Sequence, residues 1–212
     1  MIHILLTDLE TGSKEKDAAV FTFASLLFKL NDPQSITDAE NAFTNNEPFE
    51  NLLYNRLHVG DQWLDGRRLD DDTQAWWRQD RLNKPREAQK GGSGSFRDTL
   101  KAYVKLVEKL IQLHKAEYGD DARIVLYFRD RQFDDNIIQH AAEMYGIKLP
   151  YVFNQRRDVR TYIDTKLDTT LGYIPDYKPF PELPRHHAMT DVLRDAASMC
   201  EANRRSKINH TQ

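Results

Sequence analysis

Residues 1–11 read MIHILLTDLET. From Ile2 to Thr7 the segment offers apolar side chains to both strand faces, the pattern of a strand covered on both sides and therefore placed mid-sheet. It then runs into Asp8 and Glu10, two positions apart, so both carboxylates project from one face. Like charges held that way repel unless a cation lies between them. Mg²⁺ and Mn²⁺ are hard cations that take oxygen ligands of this kind, although acids also end strands simply to meet solvent.

Working outward, residues 18–30 (AAVFTFASLLFKL) and 51–59 (NLLYNRLHV) are rich in β-branched and aromatic residues and read as two further strands, giving an antiparallel meander. Between them, residues 31–48 are polar and carry two prolines, which predicts a long loop with one helical turn. Residues 71–95 read as irregular, with adjacent Trp76 and Trp77 and a Gly/Ser cluster at 91–95 expected to be a flexible hinge.

A helix is expected from Ser95, which with Asp98 resembles a capping box. Leu100, Tyr103, Val104, Val107, Leu110 and Ile111 then recur at helical spacing toward Tyr118. ARIVLYF (122–128) reads as a buried strand and DNIIQHAAEMYG (135–146) as a helix stopped by Gly146. LPYVF (149–153) reads as a short strand and RDVRTYID (157–164) as a short helix. A proline-rich crossing (172–184) leads to a last helix from about His186. This order predicts an α/β fold, a mixed sheet flanked by helices of the ribonuclease H kind.

With 212 residues, and roughly 100 to 200 residues per domain as the norm, the chain is expected to form one domain spanning 1–212. Apolar residues make up 40% and charged residues 30%, and no apolar run approaches the roughly 20 residues that span a bilayer, so no membrane association is expected. The start of the chain lacks a basic leader, and Cys200 is the single cysteine, which excludes an intrachain disulfide and fits a cytoplasmic compartment. A formal net charge of −3 argues against nonspecific coating of nucleic acid, which draws on many cationic contacts. It leaves room for an enzyme that grips a few nucleotides with the help of bound cations.

Two further acidic segments stand out. Asp134 and Asp135 follow the 122–128 strand, and Asp191 lies early in the last helix, just after His186 and His187. Acids are favoured in the first turn of any helix, so each is unremarkable alone. Helical spacing by itself favours His187 as the partner of Asp191, since the two are four residues apart.

In order and context, DLET, FDDNII and HHAMTD resemble the three motifs of the DEDDh family of 3′ to 5′ exonucleases on a ribonuclease H-like fold. RRLDDDTQAWWRQ and QRRDVRTY resemble the Thr-x-x-Trp-Trp and Asp-Val-Arg-Thr elements of the branch containing the T-even phage exonuclease A and its bacterial exoribonuclease relatives. The resemblance covers nearly the whole chain. It implies Asp8, Glu10, Asp134 and Asp191 as metal ligands for two divalent ions, Mg²⁺ or Mn²⁺, about 3.5 to 4 Å apart. It implies His186, through the pattern His-x-Ala-x-x-Asp, as the general base, with His187 as a supporting or surface residue and Asp135 as a solvated neighbour.

By the same resemblance, Leu9 and Thr11 are expected as wedge and backbone contacts to substrate. The residues themselves offer Trp77, with Trp76, as a surface for a base, although adjacent tryptophans also serve as core and lid, and Arg160, with Arg156 and Arg157, as phosphate contacts, although an exposed basic helix face has the same look. The implied reaction is hydrolysis of single-stranded DNA or RNA from the 3′ end to nucleoside 5′-monophosphates, with DNA slightly favoured, in the host cytoplasm if the protein is phage-encoded. A homodimer is compatible with the family, but no interface is legible. The rival reading, a noncatalytic nucleic-acid-binding module on the same fold, would tolerate loss of a ligand, and none is missing.

Overall fold

The computed structural model describes residues 2–209. Five strands form one sheet in the order β3-β2-β1-β4-β5. β1 (His3–Thr11), β2 (Val20–Lys29) and β3 (Leu52–Arg56) pair antiparallel, whereas β4 (Leu126–Phe128) and β5 (Arg156–Asp158) continue the sheet parallel to β1. β1 is central, as its apolar faces require, and the arrangement is the expected mixed sheet flanked by helices.

Alternate residues of β1 feed two separate cores. Ile4 and Leu6 pack toward α8 (Ala188–Asn209), α7 (Val159–Leu167) and α1 (Pro33–Thr44). Leu5 and Leu9 pack toward α5 (Phe96–Tyr118) and α6 (Arg131–Tyr145). Asp8 and Glu10 continue the Ile4/Leu6 face, so the strand delivers both carboxylates to the side that α8 covers. Among the described residues no helix is long and apolar enough to cross a membrane.

Several expectations need correction. Residues 31–48 are no loop: Asp32 caps α1 through Ser35 N–H at 3.3 Å, and Pro33 occupies the first helical position, where its missing N–H costs nothing. Ile36, Ala39 and Ala42 form its buried stripe. Residues 59–89 hold three short helices, α2 (Val59–Leu64), α3 (Asp71–Trp77) and α4 (Asn83–Gln89). The 91–95 segment is anchored instead of hinged: Gly94 exchanges backbone hydrogen bonds with Arg56 O and His58 N–H, both 2.9 Å, and a Cβ at Gly92 would meet Leu57 O at 2.4 Å.

The strand expected at 149–153 is absent. Tyr151 is buried there and Phe153 opens a single 3₁₀ turn, while the pairing strand is the next tripeptide, Arg156–Asp158. The 122–128 strand is confined to Leu126–Phe128. Ser95 does cap α5, through Asp98 N–H at 3.2 Å, and Gly146 ends α6 in the left-handed conformation at φ 65°.

Candidate active site

At the C-terminal end of β1 the Asp8 and Glu10 carboxylates meet that of Asp191 from the first turn of α8, with one oxygen of each within 4.8 Å of the others. Asp134 reaches the same region from the first turn of α6, where Asp130 caps the helix. Its side chain is buried and accepts a long hydrogen bond, 3.4 Å, from Asp130 N–H.

Burial pushes the Asp8, Glu10 and Asp134 carboxyls well above the usual carboxylate range, and neighbouring carboxylates, Asp134 and Glu10 for Asp8, Asp191 and Asp134 for Glu10, and Asp130 and Asp195 for Asp134, push the same way. For Asp134 the N–H groups of Asp130 and Leu9 oppose that rise in part. Four carboxylates drawn from one strand and two helices, three of them converging and one, Asp191, paired with Arg194, form an oxygen donor set that suits a hard divalent ion.

The last helix is entered through a strained residue. His186 adopts φ 58°, unusual for a side chain with a Cβ, and its N–H donates to Asp191 Oδ2 at 3.0 Å while its carbonyl accepts from Gln89 Nε2 at 3.2 Å. The turn lets His186 escape helical spacing. Its half-buried imidazole packs edge-on against Trp76 at 5.1 Å, and burial lowers its pKa against the opposing pull of Asp191. Arg194 steadies the same turn, holding Asp191 Oδ1 at 3.3 Å and the carbonyls of Phe180 and Pro184 at 3.0 Å each.

His187 turns the other way. It is buried, stacks on Tyr54 at 5.2 Å, and its Nε2 lies 3.0 Å from the Tyr54 hydroxyl, so it pins α8 to β3. Burial lowers the His187 imidazole pKa as well, and it pushes the Tyr54 phenol up to about 12.

Asp135 is the clearest correction in the site. Expected in solvent, it is fully buried, bonded to the Tyr151 hydroxyl at 3.1 Å and ion-paired with Arg156. Arg156 therefore braces α6 against β5. Arg160 is paired with Asp130 at 3.3 Å and Asp158 at 3.4 Å.

Leu9 is 4% exposed in the core opposite the carboxylates, so its side chain is no wedge. Thr11 is buried with its hydroxyl donating to Ser13 O at 2.7 Å. Trp77 is also buried, and its indole N–H donates to Thr11 O at 2.9 Å, fixing the strand end from beneath instead of offering a face to a base. Trp76 is the tryptophan beside the site.

One residue escaped sequence reading altogether. Asp195 sits one turn beyond Asp191 on α8, buried, and pairs with Arg129 at 2.5 Å. Burial, against the pull of Arg129, raises its carboxyl to about 6. The four-residue spacing of Asp191 and Asp195 was the available signal, since it puts both on one helix face.

Comparison with known proteins adds a family. The model of the 3′-5′ exoribonuclease Rv2179c-like domain matches residues 3–202. No match was found among curated proteins. Among solved structures, the nuclease domain of 3′hExo, a DEDDh family member bound to rAMP, aligns over 99% of this chain and 92% of its own, at 13% identity and a TM-score of 0.46. A 3′-exonuclease described in 3′-end recognition of the histone mRNA stem-loop aligns over 97% of this chain at 12% identity and a TM-score of 0.45, and this chain spans 63% of it. By the match over residues 3–202, the chain belongs to the family of 3′-5′ exoribonuclease Rv2179c-like domains and is a 3′-5′ exonuclease.

Proposed function

We propose that this protein is a single-domain, cytoplasmic enzyme that removes nucleotides one at a time from the 3′ end of single-stranded RNA, with two divalent cations, Mg²⁺ or Mn²⁺. Family membership moves the reading from DNA, slightly favoured by sequence, to RNA. The observation that carries it is the convergence of Asp8, Glu10 and Asp191, with Asp134 buried beside them.

These four residues would hold the cations, which when bound supply charge stabilisation to the attacking and leaving oxygens of the phosphodiester. His186 would accept the proton of the attacking water: burial favours its neutral imidazole, and the Asp191 contact to the His186 backbone N–H fixes the turn that carries it. Trp76 holds the edge of that ring. The 3′-terminal residue would leave as a nucleoside 5′-monophosphate.

The test is a timed digestion of 5′-labelled RNA and DNA oligonucleotides of one sequence with Mg²⁺ or Mn²⁺, beside EDTA and Asp8→Ala controls. A descending ladder on RNA that both controls abolish is expected. Faster cutting of DNA would overturn the substrate, and no cutting of either would overturn the enzyme assignment to this site.

A further inference from the structure

The arginines around β4 and β5 fall into two sets. Arg129, Arg156 and Arg160 are held by Asp195, Asp135 and Asp130. Arg131 and Arg157 are exposed and have no carboxylate partner among the described residues. Arg157 instead donates Nη1 to the carbonyls of Asn154 and Arg156 at 2.7 and 2.9 Å, which aims the guanidinium without neutralising it. Arg131 occupies the first position of α6, where the helix dipole disfavours a cation and would favour an anion bound there.

Both open onto one cavity of about 430 Å³ between β5 and α7. Tyr127 and Tyr162, in edge contact at 5.5 Å, and Thr161 also line it. The acid on the wall, Asp158, is already engaged, capping α7 through Thr161 N–H at 2.9 Å and pairing with Arg160. The cavity is therefore cationic, and its volume suits one nucleotide. One helix turn relates it to the carboxylate cluster: Arg131 and Asp134 lie three residues apart at the start of α6, and Asp130, which caps that helix, contacts both Asp134 and Arg160.

We propose that this cavity binds single-stranded RNA upstream of the scissile bond, with Arg131 and Arg157 each taking a phosphate and one base lying against Tyr127 and Tyr162. The proposal rests on the RNA-exonuclease reading above. A chain with net charge −3 has little general attraction for RNA, so a local cationic track is what keeps the strand in place while its 3′ end is cut. Arginine suits phosphate through its forked donors, and aromatic faces hold bases without regard to sequence.

The test uses the full chain and the double variants Arg131→Gln/Arg157→Gln and Arg131→Lys/Arg157→Lys, with thermal midpoints checked first. Binding of a labelled octa-adenylate is followed by anisotropy in EDTA over a salt series. Each lost phosphate contact on a single strand lowers the slope of log K against log[salt] by about 0.7, so the Gln variant should lose about 1.4 and the Lys variant should keep it. With Mg²⁺, the preference of kcat/KM for the octanucleotide over ApA, which has no phosphate beyond the scissile one, should fall about tenfold in the Gln variant, the equivalent of one weak phosphate contact. An unchanged slope, or an equal loss on both lengths, overturns the proposal. If the wild type binds with the expected slope difference yet cuts no RNA, the cavity stands and the nuclease reading falls.

Discussion

Asp134 and Asp135 are adjacent, equally buried, and opposite in circumstance. Asp135 has a cation and a hydroxyl, in Arg156 and Tyr151. Asp134 faces other carboxylates and keeps only weak backbone donors. His186 and His187 repeat the contrast: His187 is hydrogen-bonded to Tyr54 within the fold, while His186 is held by its backbone, leaving its ring at the site. In each pair the residue proposed to act in the reaction is the one whose side chain the fold leaves unsatisfied. Burial alone separates neither pair; compensation separates both.

The sharpest way to break that contrast is Asp8→Asn. Exonuclease activity should fall at least about 10³-fold, a loss of the size expected when a group acting within a catalytic unit is removed. Divalent cation should raise the thermal midpoint of the wild type and leave that of the variant nearly unmoved, because only a competent site binds the ion and couples it to folding. An Asp8→Asn protein that still gained stability from Mn²⁺ would place the ion elsewhere.

His186→Ala should cost about 10² to 10⁴ in kcat, the usual worth of a general base. His187→Phe should change the rate less than tenfold while losing about 1 kcal/mol of stability with its hydrogen bond. Equal kinetic damage from both would erase the distinction. Asp135→Ala, which strands the part-buried Arg156, should destabilise by about 3 kcal/mol, read as a shifted denaturant midpoint, whereas Asp134→Ala should cost far less stability.

The smallest expected effect is on pH. A carboxyl raised in the folded state binds its proton more tightly there than in the unfolded chain. Stability therefore falls as pH rises from the ordinary carboxylate range near 4 through the raised value. In EDTA the wild type should lose stability relative to Asp134→Asn as pH rises above about 4. The lowered histidines titrate in both proteins and cancel in the difference. Saturating Mg²⁺ should flatten the curve.

Much of this was legible in sequence because it was local. β1 announced itself by apolar residues on both faces, α5 by its periodicity and Ser95 cap, and the carboxylates of Asp8 and Glu10 by a two-residue spacing that a strand converts into a shared face. What was hidden was long-range or thinly apolar. The buried stripe of α1 is mostly small residues, and Pro33 looked like a breaker though it starts the helix. β5 is three charged residues with no alternation to detect. Asp135 looked solvated because its cation, Arg156, lies 21 residues on. Trp77 was visible as an aromatic but not as the anchor of Thr11, since that contact spans 66 residues.

The carboxylate cluster joins the central strand at Asp8 to α8 at Asp191, with α6 between. During synthesis the ribosome therefore releases most of the sheet long before the cluster can close. A nascent chain that ends short of residue 191 lacks both the third carboxylate of the cluster and most of the helix that covers the Ile4/Leu6 face of the sheet. A 3′-5′ exonuclease of this build thus has no complete carboxylate cluster until α8 has emerged and docked. Detachment of that one helix in the mature protein would silence it in the same way.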